Sequence, residues 1–197
     1  MSTLHFNLNR PIHLARRDVF FERSVELLNL PLADRDIHFR LQHTEHIINL
    51  LKTAELHAFF AARSPSATNQ ERDFLRFLKL LLDNVQSIHS MMLHQSHLEA
   101  ETSFLCQFLG ATQEQAALPA MHYQRRAEDI FEGVWHILQL AHTPYRMMQQ
   151  GMFEQMSEDE KGRYRKATTS FRDEVIKNRS VPPFKDPLPV NGARATA

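Results

Sequence analysis

Twelve histidines in 197 residues are the feature of this sequence most able to do chemistry. Three of the positions that matter, His94, His97 and Glu101, stand three and four residues apart, so on a helix they project from one side within reach of a common ion. Imidazole and carboxylate at that spacing suit Zn²⁺ or iron, with His43, His46 and His57 available to complete a ligand set. The plainer reading is a solvated face, because Asp83, Gln86, Ser90, His94, His97 and Glu101 follow one polar side of the same segment. Di-iron carboxylate bundles use Glu-x-x-His on two helices, and the sequence contains no such motif. His97-x-x-x-Glu101 supplies one element of a hemerythrin-type site, without the His-x-x-x-His that should follow it.

Two further stretches have the composition of contact surfaces. Phe39, His43, His46, Leu50, His57 and Phe60 recur at helical spacing and interleave aromatic rings with imidazoles. Such a stripe reads as a half-buried seam in which each ring packs its face and hydrogen-bonds at its edge; neutral buried imidazoles there make the protein pH-sensitive. Met147, Met148, Met152, Phe153 and Met156 are denser in methionine than a well-specified core prefers, and they suit a surface that re-packs around a partner helix. Other chemistries find no motif. There is no Gly-rich phosphate loop and no Gly-x-Ser-x-Gly elbow, and Cys106 sits among Phe104, Leu105 and Phe108, the setting of an inert thiol. Thr112 to Ala117 has the flavour of a helix-turn-helix opening, but Pro119 and the missing basic recognition helix argue against it.

The elements that must position these residues read as helices throughout. Five glycines and almost no alternating β-branched runs leave few tight hairpins. The dominant segment is Arg72 to Leu109, free of Gly and Pro, about 57 Å long if it is one helix. Its apolar stripe, Phe74, Leu78, Leu81, Val85, Ile88 and Met92, fails at Gln95 and Glu99, so the helix is expected to change partners or kink near His94 to His97. Before it, a helix from Leu14 stops at Pro31, and another runs from about Ala33 to Ala62 with a core stripe of Ile37, Leu41, Thr44, Ile48, Leu51 and Ala58. Thr68 with Glu71 forms a capping box, and Gly110 suits a left-handed cap. Beyond it, Thr112 with Gln115 opens a short turn, Pro119 starts a helix to Ala141, Thr143-Pro144 restarts the chain, and Ser157 with Glu160 caps a last helix.

The expected fold is therefore all-α, one helical bundle domain of five to six helices over residues 1–179 with one long central helix. Residues 1–13 are expected as an extended arm and 180–197 as a disordered Pro-rich tail. Equal numbers of basic and acidic residues, 23 each, give no field to collect nucleic acid, and the most apolar window carries Arg76, Lys79 and Asp83, so no membrane partner is expected. One cysteine and no signal-like N-terminus suit the cytoplasm. The leading functional expectation is a non-enzymatic regulator or adaptor that binds a protein partner or forms a homodimer through helical grooves, without a cofactor. One alternative is a His-rich Zn or Fe bundle, acting as sensor, carrier or oxidoreductase; another is a small-ligand-sensing regulator. The metal alternative is checked by elemental analysis of the purified protein: near-stoichiometric metal that is lost in His94→Ala or His97→Ala supports it, and a metal-free sample after growth in supplemented medium rules it out.

Overall fold

The computed structural model describes residues 2–30 and 35–177, with the backbone alone for residues 2–9 and for Ser103, Leu105 and Leu109. It is an all-α bundle of five helices, α1 (Ser2–Leu28), α2 (Ile37–Ala62), α3 (Asn69–Leu109), α4 (Gln113–Gln155) and α5 (Glu158–Lys177), with no strand among the described residues. The local signals at the helix ends hold. Thr68 and Glu71 close the capping box that opens α3, Thr112 and Gln115 do the same for α4, and Ser157 bonds Glu160 at the start of α5. Gly110 ends α3 at φ +63°, a conformation that a side chain at Cβ disfavours.

Two expectations differ. Residues 2–13, expected as an extended arm, are helical and continue into α1, with Pro11 inside the helix. Pro119 and Pro144, expected to start new helices, lie within a continuous α4. Both of these prolines are exposed, while the buried face of α4 passes them without changing side: Ala116 and Ala120 flank the first, Leu138, Tyr145 and Met148 the second. Packing on one face thus holds the helix together where the outer face has lost a backbone donor.

The first four helices run alternately up and down. His13 meets His57, and Leu27 meets His43, which sets α1 antiparallel to α2. Glu55 meets Lys79 and Thr44 meets His89 across α2 and α3. Phe74 stacks on Tyr145 and His94 lies against Tyr123 across α3 and α4. The ring closes where Phe21 and Arg17 of α1 reach Tyr145 and Met152 of α4. Helix α5 lies over α1, through Tyr164 to Asp18 and Arg16 to Glu174. The long helix α3 runs between α2 and α4, and α1, besides meeting α2, α4 and α5, reaches it through Arg10 to Glu71 and Phe21 to Phe74.

Helices α1 and α2 are about 40 Å long and α3 and α4 about 60 Å. In the register fixed by Glu55 and Thr44, the first turn of α2 is level with Ser96 of α3. Past that level, α4 alone runs beside α3 among the described residues, for about 20 Å to Gly110. The last buried apolar residue of α3 whose side chain is described is Met92, so the partner change expected near His94 to His97 falls where the body ends and a two-helix hairpin begins.

Glu71 ties the cap of α3 to the body. Its carboxylate accepts the Thr68 backbone N–H at 2.7 Å and the Arg10 guanidinium at 2.7 Å, and both charged side chains are buried. Thr68→Ala removes one cap bond and is expected to cost about 1 kcal/mol. Glu71→Ala also strands a buried guanidinium and is expected to cost about 3–5 kcal/mol, both measured by urea unfolding.

Candidate functional site

The fold gathers its charged and titratable groups in three places. The first is internal. Arg17 and Asp18 are fully enclosed in the middle of α1, where the bundle's main core gives way to a smaller cluster of Leu14, Ala61, Met152 and Tyr164. The Arg17 Nε donates to Asp18 Oδ1 at 2.8 Å, and its guanidinium lies over the Phe74 ring and against the Met152 sulfur. The Tyr164 hydroxyl donates to the other Asp18 oxygen at 2.7 Å. Gln149 extends this set outward, reaching Tyr145, Tyr164 and Glu22. Burial works against the Arg17 charge, but the Asp18 carboxylate outweighs it and holds the guanidinium above its usual pKa. Burial, helped by the acids Asp18 and Glu22, pushes the Tyr145 hydroxyl well up; burial with Asp18 does the same for Tyr164. Both phenols are thus held neutral as hydrogen-bonding members of a structural network.

The second place is the seam between α1 and α2, where the His stripe falls. His43 is buried and its Nε2 donates to the Leu27 carbonyl at 3.0 Å, which ties the end of α1 to α2. His57 meets His13 Nδ1 to Nδ1 at 2.8 Å, so one ring donates and the other accepts, and His13 also lies against Phe60. Phe39 stacks on His43; Leu50 is buried, and His46 lines a small gap closed by Val175 of α5. Phe39, His43, His46, Leu50, His57 and Phe60 thus spend much of their surface inside the chain, against α1 and α5. Burial lowers the pKa of all four imidazoles here, assisted by Arg16 at His13, by Arg23 at His43 and His46, and by His13 and Arg16 at His57, which falls to about 4.

The methionine stretch divides. Met148, Met152 and Met156 are core residues, Phe153 packs against Tyr164, and Met147 alone is 67% exposed. His94, His97 and Glu101 are exposed on α3, with the His94 ring against Tyr123. The residues that could have completed a ligand set with them, His43 and His57, are engaged with α1. Among the described residues no three His, Cys, Asp or Glu side chains lie where one ion could be held.

The third place is the surface of the projecting hairpin. Phe104 and Phe108 on α3 are 55% and 70% exposed and stack on each other at 4.6 Å; Leu118 and Met121 on α4 are exposed at the same end. On the body, a groove of about 300 Å³ opens between α1 and α4, floored by Phe21, Val25 and Leu138 and rimmed by Glu22, Glu26 and Arg146. Neither was singled out from the sequence. The apolar residues beside the polar His94 to Glu101 line were a usable signal for the hairpin. Arg17-Asp18, two opposite charges inside the apolar run Leu14 to Phe21, were a usable signal for the buried network.

The seam histidines make stability depend on pH. The folded chain keeps these rings neutral, whereas the unfolded chain protonates them near pH 6.5. Stability is therefore full above about pH 6.5 and falls as pH drops toward about 4, where His57 becomes charged. Urea midpoints at pH 7 and pH 5 are expected to differ, and His57→Phe to narrow the difference; an unchanged pH dependence in that variant contradicts the assignment.

Compared with family models, with curated proteins and with solved structures, the chain finds no match; the arrangement of its own residues carries the functional reading.

Proposed function

We propose that the protein is a non-enzymatic cytoplasmic interaction protein, an adaptor or regulator, whose contact element is the distal half of the α3–α4 hairpin. One observation carries the reading: α3 and α4 run on past the level where α2 begins, and there, among the described side chains, the large apolar residues Phe104, Phe108, Leu118 and Met121 face outward while only Ala116 and Ala120 are buried apolar residues. Single exposed apolar residues are ordinary, but stacked phenylalanines on a projecting arm with Leu118 and Met121 near them have the makeup of an interaction surface. The charged groups that could have served a reaction are instead paired with one another inside the bundle, where they fix its packing. The absence of any helix long and apolar enough to cross a membrane, among the described residues, fits a partner met away from the bilayer.

A second reading, a small-ligand sensor, has one observation in its favour: the groove between α1 and α4, at the lower end of ligand-site volumes. Its apolar floor suits a small apolar molecule, while the rim carboxylates Glu22 and Glu26 are already paired with Arg146, Arg172 and Arg23. Native mass spectrometry of protein from its source cells checks this; a bound small molecule lost in Leu138→Trp supports it, and ligand-free protein counts against it.

The leading reading is checked by a photo-cross-linking residue placed at Phe104, at Leu118 and, as a body control, at Thr169, in the source cells. Adducts with another protein are expected from the hairpin positions and not from α5. Adducts from Thr169 alone, or from none of the three, contradict it.

A further inference from the structure

His13 of α1 and His57 of α2 face each other through the same ring atom. Their Nδ1 atoms lie 2.8 Å apart and their ring centroids 5.1 Å apart. Each ring is half-buried, and Phe60 lies against the His13 ring at 5.2 Å. The next residue along each helix, Leu14 and Ala58, is buried, so the backbone that carries each ring is anchored by packing. Two imidazole nitrogens are thus aimed at one point from two fixed helices, close enough to the surface for an ion to enter. Among the described residues neither ring bonds a carboxylate, and no third His, Cys, Asp or Glu stands with them where one ion could be held by three.

We propose that His13 and His57 form a two-coordinate site for a soft monovalent cation, Cu(I), bound between the two Nδ1 atoms. The donor set selects the ion. Zn²⁺ takes four donors, more than this pair offers. Arg16 also places positive charge near both rings, although Glu174 pairs with it at 3.5 Å. That repulsion is half as large for a monovalent ion as for a divalent one. Cu(I) accepts imidazole donors, and its filled d shell is content with two of them in line. Two metal–imidazole bonds of about 2 Å each need the nitrogens about 1 Å farther apart than they stand. Rotation of two half-buried rings supplies this without moving a helix. The protons balance. In the hydrogen-bonded pair one ring carries its proton on Nδ1 and the other on Nε2; with the ion bound, both carry it on Nε2 and both Nδ1 lone pairs meet the ion. Burial, with Arg16, keeps both rings neutral at pH 7, so protons compete weakly for these nitrogens. A bound ion ties α1 to α2 by coordination in place of a single hydrogen bond.

This site is independent of the hairpin reading. Anaerobic titration of the full chain against the Cu(I)–ferrozine complex at pH 7 is expected to show one Cu(I) withdrawn per chain. X-ray absorption of the loaded protein is expected to show nitrogen donors and no sulfur, and Cu(I) to raise the urea midpoint. His13→Phe and, independently, His57→Phe are expected to lose both the withdrawal of Cu(I) and the rise in midpoint, while their cooperative urea transitions without Cu(I) show that the fold is kept. Cys106→Ser and His94→Ala are expected to bind as the parent chain does. A parent chain that withdraws no Cu(I) overturns the proposal. So does sulfur in the coordination shell, loss of binding in Cys106→Ser or His94→Ala, or full binding in either phenylalanine variant. Where a phenylalanine variant does not fold, the parent chain decides: an all-nitrogen shell with a raised midpoint supports the site, and the lack of either overturns it.

Discussion

A buried ion pair that water cannot reach, Arg17 with Asp18, is the constraint around which the bundle is arranged. Neither charge is tolerable in an apolar interior unless its remaining hydrogen-bonding capacity is met. Each neighbouring helix answers part of that demand: α3 with the Phe74 ring, α4 with the Met152 sulfur, α5 with the Tyr164 hydroxyl. A helix that needs partners on all sides is surrounded on all sides. That is why α1 is packed by α3, α4 and α5 as well as by α2, and why α5 lies across α1 and not beside α3. Arg10 and Glu71 repeat the device one bundle layer away, joining α1 to the cap of α3.

The histidine seam follows the same logic with neutral groups. His43 fixes the end of α1 to α2, and the His13–His57 contact fixes the other end of the same interface, so register between these helices is set by polar contacts at both ends and by apolar packing between them. The body is thus pinned from within by paired polar groups. Among the described residues no buried ion pair lies in the distal hairpin. Among its described side chains, Ala116 and Ala120 are buried, Leu98 is half-buried, and Phe104, Phe108, Leu118 and Met121 face outward. The two halves of α3 and α4 differ in what their described side chains do: one half encloses a core, the other exposes large apolar residues.

The helix caps were legible because they depend on neighbours in sequence. Thr68 with Glu71, Gly110, Thr112 with Gln115 and Ser157 with Glu160 all act where a local reading places them. Pro119 and Pro144 misled because a proline's local penalty says nothing about the apolar face that carries α4 past it. The second stripe of α2 was recognisable as a half-buried seam, but its partner was not: His13 lies in a segment read as an arm, and no local pattern announces that α1 extends back to Ser2. The methionines were read as a contact surface although their spacing fits a core as well; only the closure of α4 against α1 and α5 buries Met148, Met152 and Met156. Long-range pairing of Arg17-Asp18 with Tyr164 is invisible for the same reason.

If the distal hairpin is a contact element and not part of the folding core, the body does not need it. Replacing residues 97–121 by a short Gly-rich turn joins α3 to α4 where α2 begins, leaving the Arg17–Asp18 network, the Arg10–Glu71 pair and the histidine seam untouched. Urea unfolding of that shortened chain is the most direct measurement. A cooperative transition with a midpoint close to that of the full chain is the expected result; loss of cooperative unfolding, or of most of the stability, would contradict it.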